Sequence, residues 1–281
     1  MKNRKVVLVP VGGLANRFFA IDSAISLCRH YKRPLEIIWF KDPALNTTFH
    51  SLFEPVSMSD VTIREANLMD YFLYDRPRKK NFFIPWIFQK VTFRKRFYER
   101  ESQLLAKQSY EFSELASARA IYISTFVQLI PSELNYSMFK PVLKIKKQVD
   151  SICALLGDYC IGIHIRRGDN ILSISESPLS LFIERINHEI ELNSFVTFYL
   201  ATDSDDVKAD LIQRYGKRIT VLNRSADRLS TSGMQDAVLE LFILASTKKV
   251  LGSYYSTFSV LAARLGGIEY EEIKKKLSPH E

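Results

Sequence analysis

The second half of the chain alternates between apolar runs with the period of a strand and longer amphipathic runs with the period of a helix. Strand-like segments such as "YCIGIHI" (159–165) and "SFVTFYLAT" (194–202) are each followed, after a short connection, by a helix-like segment. This alternation is typical of a doubly wound parallel sheet with helices on both faces. It predicts a Rossmann-like lobe in the second half of the chain.

The first forty residues show a similar strand–helix–strand pattern. They predict a strand at Lys5–Pro10, a glycine turn, a helix to about His30 and a strand at Leu35–Phe40. Two strands joined by a helix at this spacing are expected to pair in parallel. The stretch 42–100 is irregular and contains several prolines, so we expect loops and short helices there.

These patterns predict the α/β class, with two Rossmann-like lobes of which the C-terminal lobe is the more regular. The stretch "KPVLKIKKQVDSICALLG" (140–157) lies between them, and we place the lobes at 1–150 and 151–281. Doubly wound sheets bind ligands beyond the carboxyl ends of their strands. We therefore expect a site in a cleft between the lobes.

The composition excludes several classes of protein. Hydrophobic residues make up 47% of the chain and charged residues 25%, as in ordinary soluble proteins. No apolar run approaches the roughly 20 residues of a membrane span, and the first run, about six residues, is too short for a signal peptide. The three cysteines lack the spacing of a disulfide framework or a zinc site. A cytoplasmic protein is expected.

Much of the net charge of +8 lies in residues 76–100. This stretch has nine Lys or Arg, seven aromatic residues and one acid, Glu99. Cations mixed with aromatic anchors suit an anionic membrane surface or a lipid-linked acceptor. A solvated basic face above core aromatics is the alternative. No recognised nucleic-acid motif accompanies the stretch, so nucleic acid is not an expected partner.

The strand "YCIGIHI" continues into "RRGD", which places Arg166 and Arg167 at its carboxyl end. A guanidinium keeps its charge at any ordinary pH, and its fork matches two phosphate oxygens. The pair therefore suits an anionic ligand. An ion pair at a domain interface, with Asp169 as the acid, is the structural alternative.

Two other strand ends carry polar side chains. In "YLATDSDD", helix capping explains most of the acids, and an Asp-x-Asp clamp for Mg²⁺ or Mn²⁺, formed by Asp203 and Asp205, is the alternative. In "GSYYSTFSVLAARLGG", Ser256 and Thr257 precede or open a helix, a suitable phosphate site. The chain has no G-x-x-x-x-G-K-[ST] motif, which disfavours a P-loop enzyme.

Four motifs in this order resemble the fucosyltransferase superfamily, which includes the α-1,2-, α-1,6- and protein O-fucosyltransferases. They are "GGLANRFFAI", "GIHIRRGDN", "YLATDSDD" and "LELFILASTKKVLGSYYSTFSVLAARLGG". The resemblance covers most of the C-terminal half and about the first twenty residues, and it implies a GT-B-like fold. The N-terminal lobe would then face the acceptor, and the C-terminal lobe would hold the nucleotide sugar.

The resemblance also implies the chemistry: transfer of L-fucose from GDP-fucose with inversion, without a metal or another cofactor. Arg166 stands where the family has the arginine that holds the donor pyrophosphate, and Arg167 would assist it. Asp169 and Glu176 are the candidates for the base that deprotonates the acceptor hydroxyl. Asp169 equally suits orienting Arg167 or capping a turn.

Further donor-binding residues are implied by position in the same motifs. Glu240 stands where the family has an acid that reads the guanine edge, and His164 would lie by the guanine and ribose. Asn16 and Arg17 follow the first strand, although the family more often has Gln in place of Arg17. The full set of predicted donor-binding residues is His164, Asp203, Glu240, Ser256, Thr257, Gly12, Asn16 and Arg17.

We therefore expect a bacterial-type, GDP-fucose-dependent glycosyltransferase that acts in polysaccharide biosynthesis, on a surface-polysaccharide precursor at the inner face of the membrane. Residues 76–100 would supply a peripheral membrane contact. One alternative is a metal-dependent nucleotide-sugar transferase that uses Asp203 and Asp205. The other is a non-enzymatic basic protein that binds anionic lipid or nucleic acid.

Overall fold

The computed structural model describes residues 4–132, 138–168, 170–222, 227 and 229–275. The chain divides into two units, the first comprising residues 1–140 with 228–231 and the second residues 141–227 with 232–281. The division falls about ten residues before the one placed at 150 from the sequence, because the helix Leu143–Cys153 runs continuously through position 150.

The first unit contains a parallel five-stranded sheet with the strand order β3-β2-β1-β5-β4. Its strands are β1 (Lys5–Pro10), β2 (Leu35–Trp39), β3 (Val61–Glu65), β4 (Lys95–Phe97) and β5 (Ala120–Thr125). Its helices are α1 (Leu14–His30), α2 (Leu68–Leu73), α3 (Phe83–Thr92), α4 (Glu99–Lys107) and α5 (Glu114–Ser117). The central strand β1 is apolar and buried after its first residue, as expected where both faces of a parallel sheet are covered.

The second unit repeats this arrangement, with the strand order β10-β9-β6-β7-β8. Its strands are β6 (Cys160–Ile165), β7 (Thr197–Thr202), β8 (Ile219–Val221), β9 (Lys249–Ser253) and β10 (Glu269–Ile273). Its helices are α6 (Leu143–Cys153), α7 (Ile171–Glu176), α8 (Leu179–Leu192), α9 (Asp205–Tyr215), α10 (Thr231–Ala245) and α11 (Thr257–Gly266). The central strand β6 is buried throughout.

The predicted α/β class and the two Rossmann-like lobes are confirmed by these two parallel sheets. The stretch 42–100 is more regular than its sequence suggests, because it supplies the strands β3 and β4. Both strands are short and carry charged residues, a common state of strands toward the edge of a sheet, and this obscures an apolar pattern. None of the helices in the described part of the chain has the length and apolar character that crossing a bilayer demands.

Candidate donor-binding site at the carboxyl edge of the second sheet

Three neighbouring strands of the second sheet end in polar residues. β6 pairs in parallel with β7 on one side and with β9 on the other, so the carboxyl ends of the three strands lie side by side. Arg166 follows β6, Asp203 follows β7 and Ser253 ends β9. The loops after these strands therefore meet at one edge of the sheet, where ligands of doubly wound folds bind.

Arg166 is held at this edge by two side chains. Its Nη1 donates to Asp203 Oδ2 at 2.5 Å, and its backbone N–H donates to Ser253 Oγ at 3.0 Å. The side chains of the ion pair are 15% and 16% exposed, so the charges are largely but not fully withdrawn from water. A guanidinium has five N–H donors in a planar fork. Asp203 thus sets the direction of a group that is suited to binding phosphate oxygens.

Arg167 contacts the backbone of its own loop. Its N–H donates to Asp203 Oδ1 at 2.7 Å, and its guanidinium donates to the carbonyl oxygens of Arg166 and Ser177, each at 3.0 Å. Burial lowers the pKa of Arg167, which nevertheless remains charged at neutral pH. These contacts show how Arg167 holds the loop around Arg166, while its contact with a donor remains a prediction.

Gly168 gives Asp203 room to reach this loop. A Cβ at position 168 would lie 2.7 Å from Asp203 Oδ2, closer than any ordinary contact. The sequence "RRG" therefore combines two cations with the one residue small enough to let a single carboxylate bind both the Arg166 side chain and the Arg167 backbone.

The start of α11 adds hydroxyl groups beside His164. The imidazole Nδ1 of His164 lies 2.9 Å from Ser259 Oγ and 3.4 Å from Ser256 Oγ, and the ring packs at 4.9 Å from the ring of Phe258. Ser256 is the N-cap residue of α11, and the exposed Thr257 is its first residue. The backbone N–H groups at a helix N-terminus favour anions. The α11 end can therefore contribute to a phosphate site.

Glu240 is a half-buried acid on α10, and its charge interacts with that of Asp203 at this edge of the sheet. Burial raises the pKa of its carboxyl to about 7, with Asp236 and Asp203 adding to the rise and Lys208 opposing it. Lys208 lies on α9 and pairs with Asp205 at 3.2 Å. A carboxyl that titrates near neutral pH can accept the N–H groups of a guanine edge when it is ionised.

The two carboxylates of the Asp-x-Asp pattern are engaged by different cations. Asp203 pairs with Arg166, whereas Asp205 begins α9 and pairs with Lys208. Within the described ranges of the chain, no group of three or more His, Cys, Asp or Glu side chains is arranged to hold a metal ion. The contacts of Asp203 thus favour a role in orienting Arg166 over a shared metal clamp with Asp205.

The remaining donor-binding candidates belong to the first unit. Gly12 follows β1 with a φ of +83°, and a Cβ there would lie 3.2 Å from Asn16 Nδ2, so the turn requires glycine. Asn16 is half-buried. Arg17 is completely buried, and it donates to the carbonyl oxygens of Gly12 at 3.0 Å and Phe40 at 2.7 Å.

The buried Arg17 also pairs with Asp42 at 3.1 Å and lies over the ring of Trp39. Burial lowers its pKa to about 10. These contacts account for Arg17 as a residue that ties the β1 turn to the end of β2. They show a structural role for Arg17, and its role in donor binding remains a prediction.

Asp169, the other candidate beside the two arginines, lies outside the described residues. Glu176, the second candidate base, is the half-buried last residue of α7. Ser177 was not among the predicted site residues: its hydroxyl donates to the Ile273 carbonyl at 2.5 Å and accepts from the Tyr254 N–H at 2.8 Å. It ties the loop that Arg167 binds to the ends of β9 and β10, and no motif in the sequence marks this contact.

Comparison with known proteins adds a fold-level match. No protein-family model matches the chain, and no curated protein matches it significantly in sequence. The solved fucosyltransferase NodZ from Bradyrhizobium aligns over 93% of this chain and 92% of its own, with a TM-score of 0.66 and 19% identity. The chain shares the fold of this fucosyltransferase.

Two further solved structures extend the likeness to other fucosyltransferases. A point mutant of Arabidopsis thaliana FUT1 in complex with GDP aligns over 98% of this chain and 71% of its own, with a TM-score of 0.62 and 14% identity. POFUT1 in complex with GDP aligns over 97% of this chain and 99% of its own, with a TM-score of 0.58 and 13% identity. The predicted GT-B-like, two-lobed fold is thus confirmed, and the chain shares it with these solved fucosyltransferases.

Proposed function

We propose that the chain is an inverting glycosyltransferase that transfers L-fucose from GDP-fucose to a hydroxyl of a glycan acceptor. The observation that carries this proposal is Arg166, held by Asp203 at the carboxyl end of the central strand of the second sheet. It is supported by the shared fold with NodZ, one structure of which is described as soaked with GDP-fucose.

Arg166 would meet the charge of the leaving group. As the bond between fucose and the β-phosphate breaks, negative charge grows on the phosphate oxygens of GDP. A cation already oriented by Asp203 stabilises this charge more strongly in the transition state than in the ground state. Since the charge is met by an arginine and by the start of α11, we expect no metal or other cofactor to be required.

The nucleoside would be read by side chains near the same edge. An ionised Glu240 accepts the N1–H and N2–H₂ groups that guanine presents side by side, and neither adenine nor uracil offers such a pair. His164, fixed by Ser259, would lie toward the guanine and ribose. Ser256 and Thr257 would donate to the β-phosphate from the start of α11.

The acceptor would be a surface-polysaccharide precursor, met at the inner face of the membrane with a peripheral contact through residues 76–100. Inversion needs a base that removes the proton of the acceptor hydroxyl as it attacks the anomeric carbon from the face opposite to GDP. Asp169 and Glu176 are the candidates, because both lie close in sequence to Arg166.

A thermal-shift panel tests the donor. GDP, GDP-fucose, GDP-mannose, UDP and ADP are each added with and without Mn²⁺, and the Tm is measured. Stabilisation by the guanine nucleotides alone, independent of Mn²⁺, supports the proposal. Stabilisation by UDP only with Mn²⁺ would instead support a metal-dependent transferase, and no response to any nucleotide would contradict both.

A further inference from the structure

The helices α2 and α3 pack against each other and expose an apolar face. The exposed apolar residues include Leu68, Met69 and Phe72 on α2, and Phe83, Ile87 and Val91 on α3, of which Val91 is 84% exposed. The spacing of four residues along α3 places its three side chains on one side of the helix. We call these six residues the α2–α3 face.

The opposite side of α3 fixes this helix to the first unit. Pro85 and Gln89 are buried, and Gln89 Nε2 donates to the carbonyl oxygens of Leu73 and Asp75 at 3.0 Å and 2.8 Å. Gln89 Oε1 accepts from the hydroxyl of Tyr98 at 2.9 Å. The helix is therefore held with one side inward, and the apolar residues on its other side face solvent because of this packing.

Exposed cations flank the α2–α3 face. Lys79 and Lys80 precede α3, Lys90 lies on its last turn and Arg94 follows it, all of them exposed. Lys90 Nζ lies 4.8 Å from the centre of the Trp86 ring. In the part of the chain that the structure describes, none of these four cations forms an ion pair with an acidic side chain. Their charge is thus directed outward beside an apolar surface.

We propose that the α2–α3 face docks on an anionic phospholipid bilayer, with its apolar side chains in the headgroup–acyl boundary and its cations on the lipid phosphates. An apolar helix face bordered by Lys and Arg is the pattern of helices that lie in a membrane interface. α3 is about 15 Å long, so it lies along the bilayer surface and does not cross it. Charge complementarity favours lipid over an uncharged protein partner, and the largely apolar α2–α3 face favours lipid over nucleic acid.

Co-sedimentation with vesicles tests this proposal without any donor or acceptor, so its outcome is independent of the proposed transferase activity. The vesicles contain phosphatidylcholine with or without about 30 mol% phosphatidylglycerol. We expect binding to the anionic vesicles and weaker binding as the salt concentration rises. The double variant Ile87→Glu/Val91→Glu should bind at least about tenfold more weakly, because two inserted side chains become charged.

Matched control variants distinguish an effect of the α2–α3 face from a general effect of added negative charge. Leu155→Glu/Leu192→Glu makes the same chemical change at two exposed apolar positions of the second unit, and it should bind as the unmodified chain does. Lys79→Glu/Lys80→Glu should weaken binding, whereas Lys146→Glu/Lys147→Glu, with the same change of charge on α6, should weaken it less. All four variants change exposed residues, and circular dichroism checks that each is folded.

Tryptophan fluorescence reports insertion directly. The chain has two tryptophans, of which Trp39 is buried and Trp86 on α3 is partly exposed. Brominated lipids should quench Trp86, and Trp86→Phe should abolish that quenching. Three results would overturn the proposal. They are no binding to anionic vesicles, an equal loss of binding in Ile87→Glu/Val91→Glu and in its control Leu155→Glu/Leu192→Glu, or binding without quenching of Trp86. Dimerisation or oligonucleotide binding through this face, without vesicle binding, would identify a different partner.

Discussion

Arg17 lies in the first turn of α1, seven residues after the central strand of the first sheet, whereas Arg166 directly follows the central strand of the second sheet. Their surroundings also differ. Arg17 is completely buried and bound by two backbone carbonyls and by Asp42. The side chain of Arg166 is 15% exposed and is paired with Asp203. Near the carboxyl ends of their central strands, the two units thus carry one arginine that is enclosed and one that is partly open to solvent.

A position near the end of a central strand therefore does not by itself tell whether an arginine stabilises the fold or is accessible to a ligand. Both sheets offer a carboxyl edge where ligands bind in doubly wound folds. In the first unit, Arg17 at the start of α1 joins the turn after β1 to the end of β2. In the second unit, Arg166 keeps partial access to solvent, which an anionic ligand requires. The following predictions test this contrast.

Arg17→Ala should have the largest effect on stability. It leaves the buried Asp42 without its main partner, and breaking a buried pair costs about 3–5 kcal/mol. Urea unfolding followed by circular dichroism measures the change in the free energy of unfolding. A loss of unfolding free energy well below about 1 kcal/mol would show that Arg17 does not stabilise the fold in this way.

Arg166→Ala should have the largest effect on turnover. Removing one transition-state donor typically lowers kcat by about 10²–10³-fold, while loss of this partly open ion pair should cost only about 1–2 kcal/mol of stability. Arg166→Lys should also be impaired, because one ammonium does not reproduce the fork. Steady-state kinetics with GDP-fucose and urea unfolding check both parts, and near-normal turnover in either variant would remove Arg166 from the mechanism.

Asp203→Asn should lower kcat/KM for the donor by about tenfold, because Arg166 loses the charge that orients it. Since Asp203 acts through Arg166, the double variant Arg166→Ala/Asp203→Asn should be no worse than Arg166→Ala alone. A double-mutant cycle measures this. Additive losses would mean that Asp203 contacts the donor or a metal independently of Arg166.

Glu240→Gln should weaken GDP binding and leave UDP binding almost unchanged. The pKa of Glu240 is raised to about 7, so its carboxylate form, and with it GDP affinity, should decline as pH falls from about 8 to 6. Titration calorimetry across this range should find the decline in the unmodified chain only. Equal losses for GDP and UDP would show that Glu240 does not read the base.

The same raised pKa predicts that Glu240→Gln, which weakens GDP binding, makes the fold more stable at high pH. The unfolded chain loses this proton near the ordinary pKa of Glu, 4.5, while the folded chain retains it until about 7. Glu240 therefore stabilises the fold less as pH rises through that window. Relative to the unmodified chain, Glu240→Gln should be more stable by about 3 kcal/mol at pH 8 and by little at pH 4. A constant difference between the two pH values would contradict the raised pKa.

Asp205→Asn should have the smallest effect. Its carboxylate is exposed and paired with Lys208, and such surface pairs contribute about 0–1 kcal/mol. Turnover should stay within about twofold of the unmodified chain. A large loss of turnover that Mn²⁺ partly restores would instead support the Asp-x-Asp interpretation and would weaken the contrast drawn between Asp203 and Asp205.

The sequence predicted the architecture well where the pattern of apolar residues is strong. β1 and α1 match the predicted bounds, and β6 and β7 lie within their predicted segments. β3 and β4 were missed, because short strands with charged residues lack a clear alternation. β10 was missed for the same reason, since its five residues include three acids.

The site was only partly accessible to sequence reasoning. The position of Arg166 at a strand end follows from the apolar run before it. Its partner Asp203 lies 37 positions away, and only the pairing of β6 with β7 brings the two together. The burial of Arg17 was likewise invisible, because Gly12, Phe40 and Asp42 become its neighbours only after the sheet forms.

Donor hydrolysis in the absence of an acceptor tests the central claim most directly, because it needs no knowledge of the acceptor. GDP release from saturating GDP-fucose is measured in EDTA for the unmodified chain and for Arg166→Ala. We predict slow, EDTA-resistant release that falls by about 10²–10³-fold in the variant. Release that EDTA abolishes, or that persists in Arg166→Ala, would show that Arg166 does not stabilise the leaving GDP.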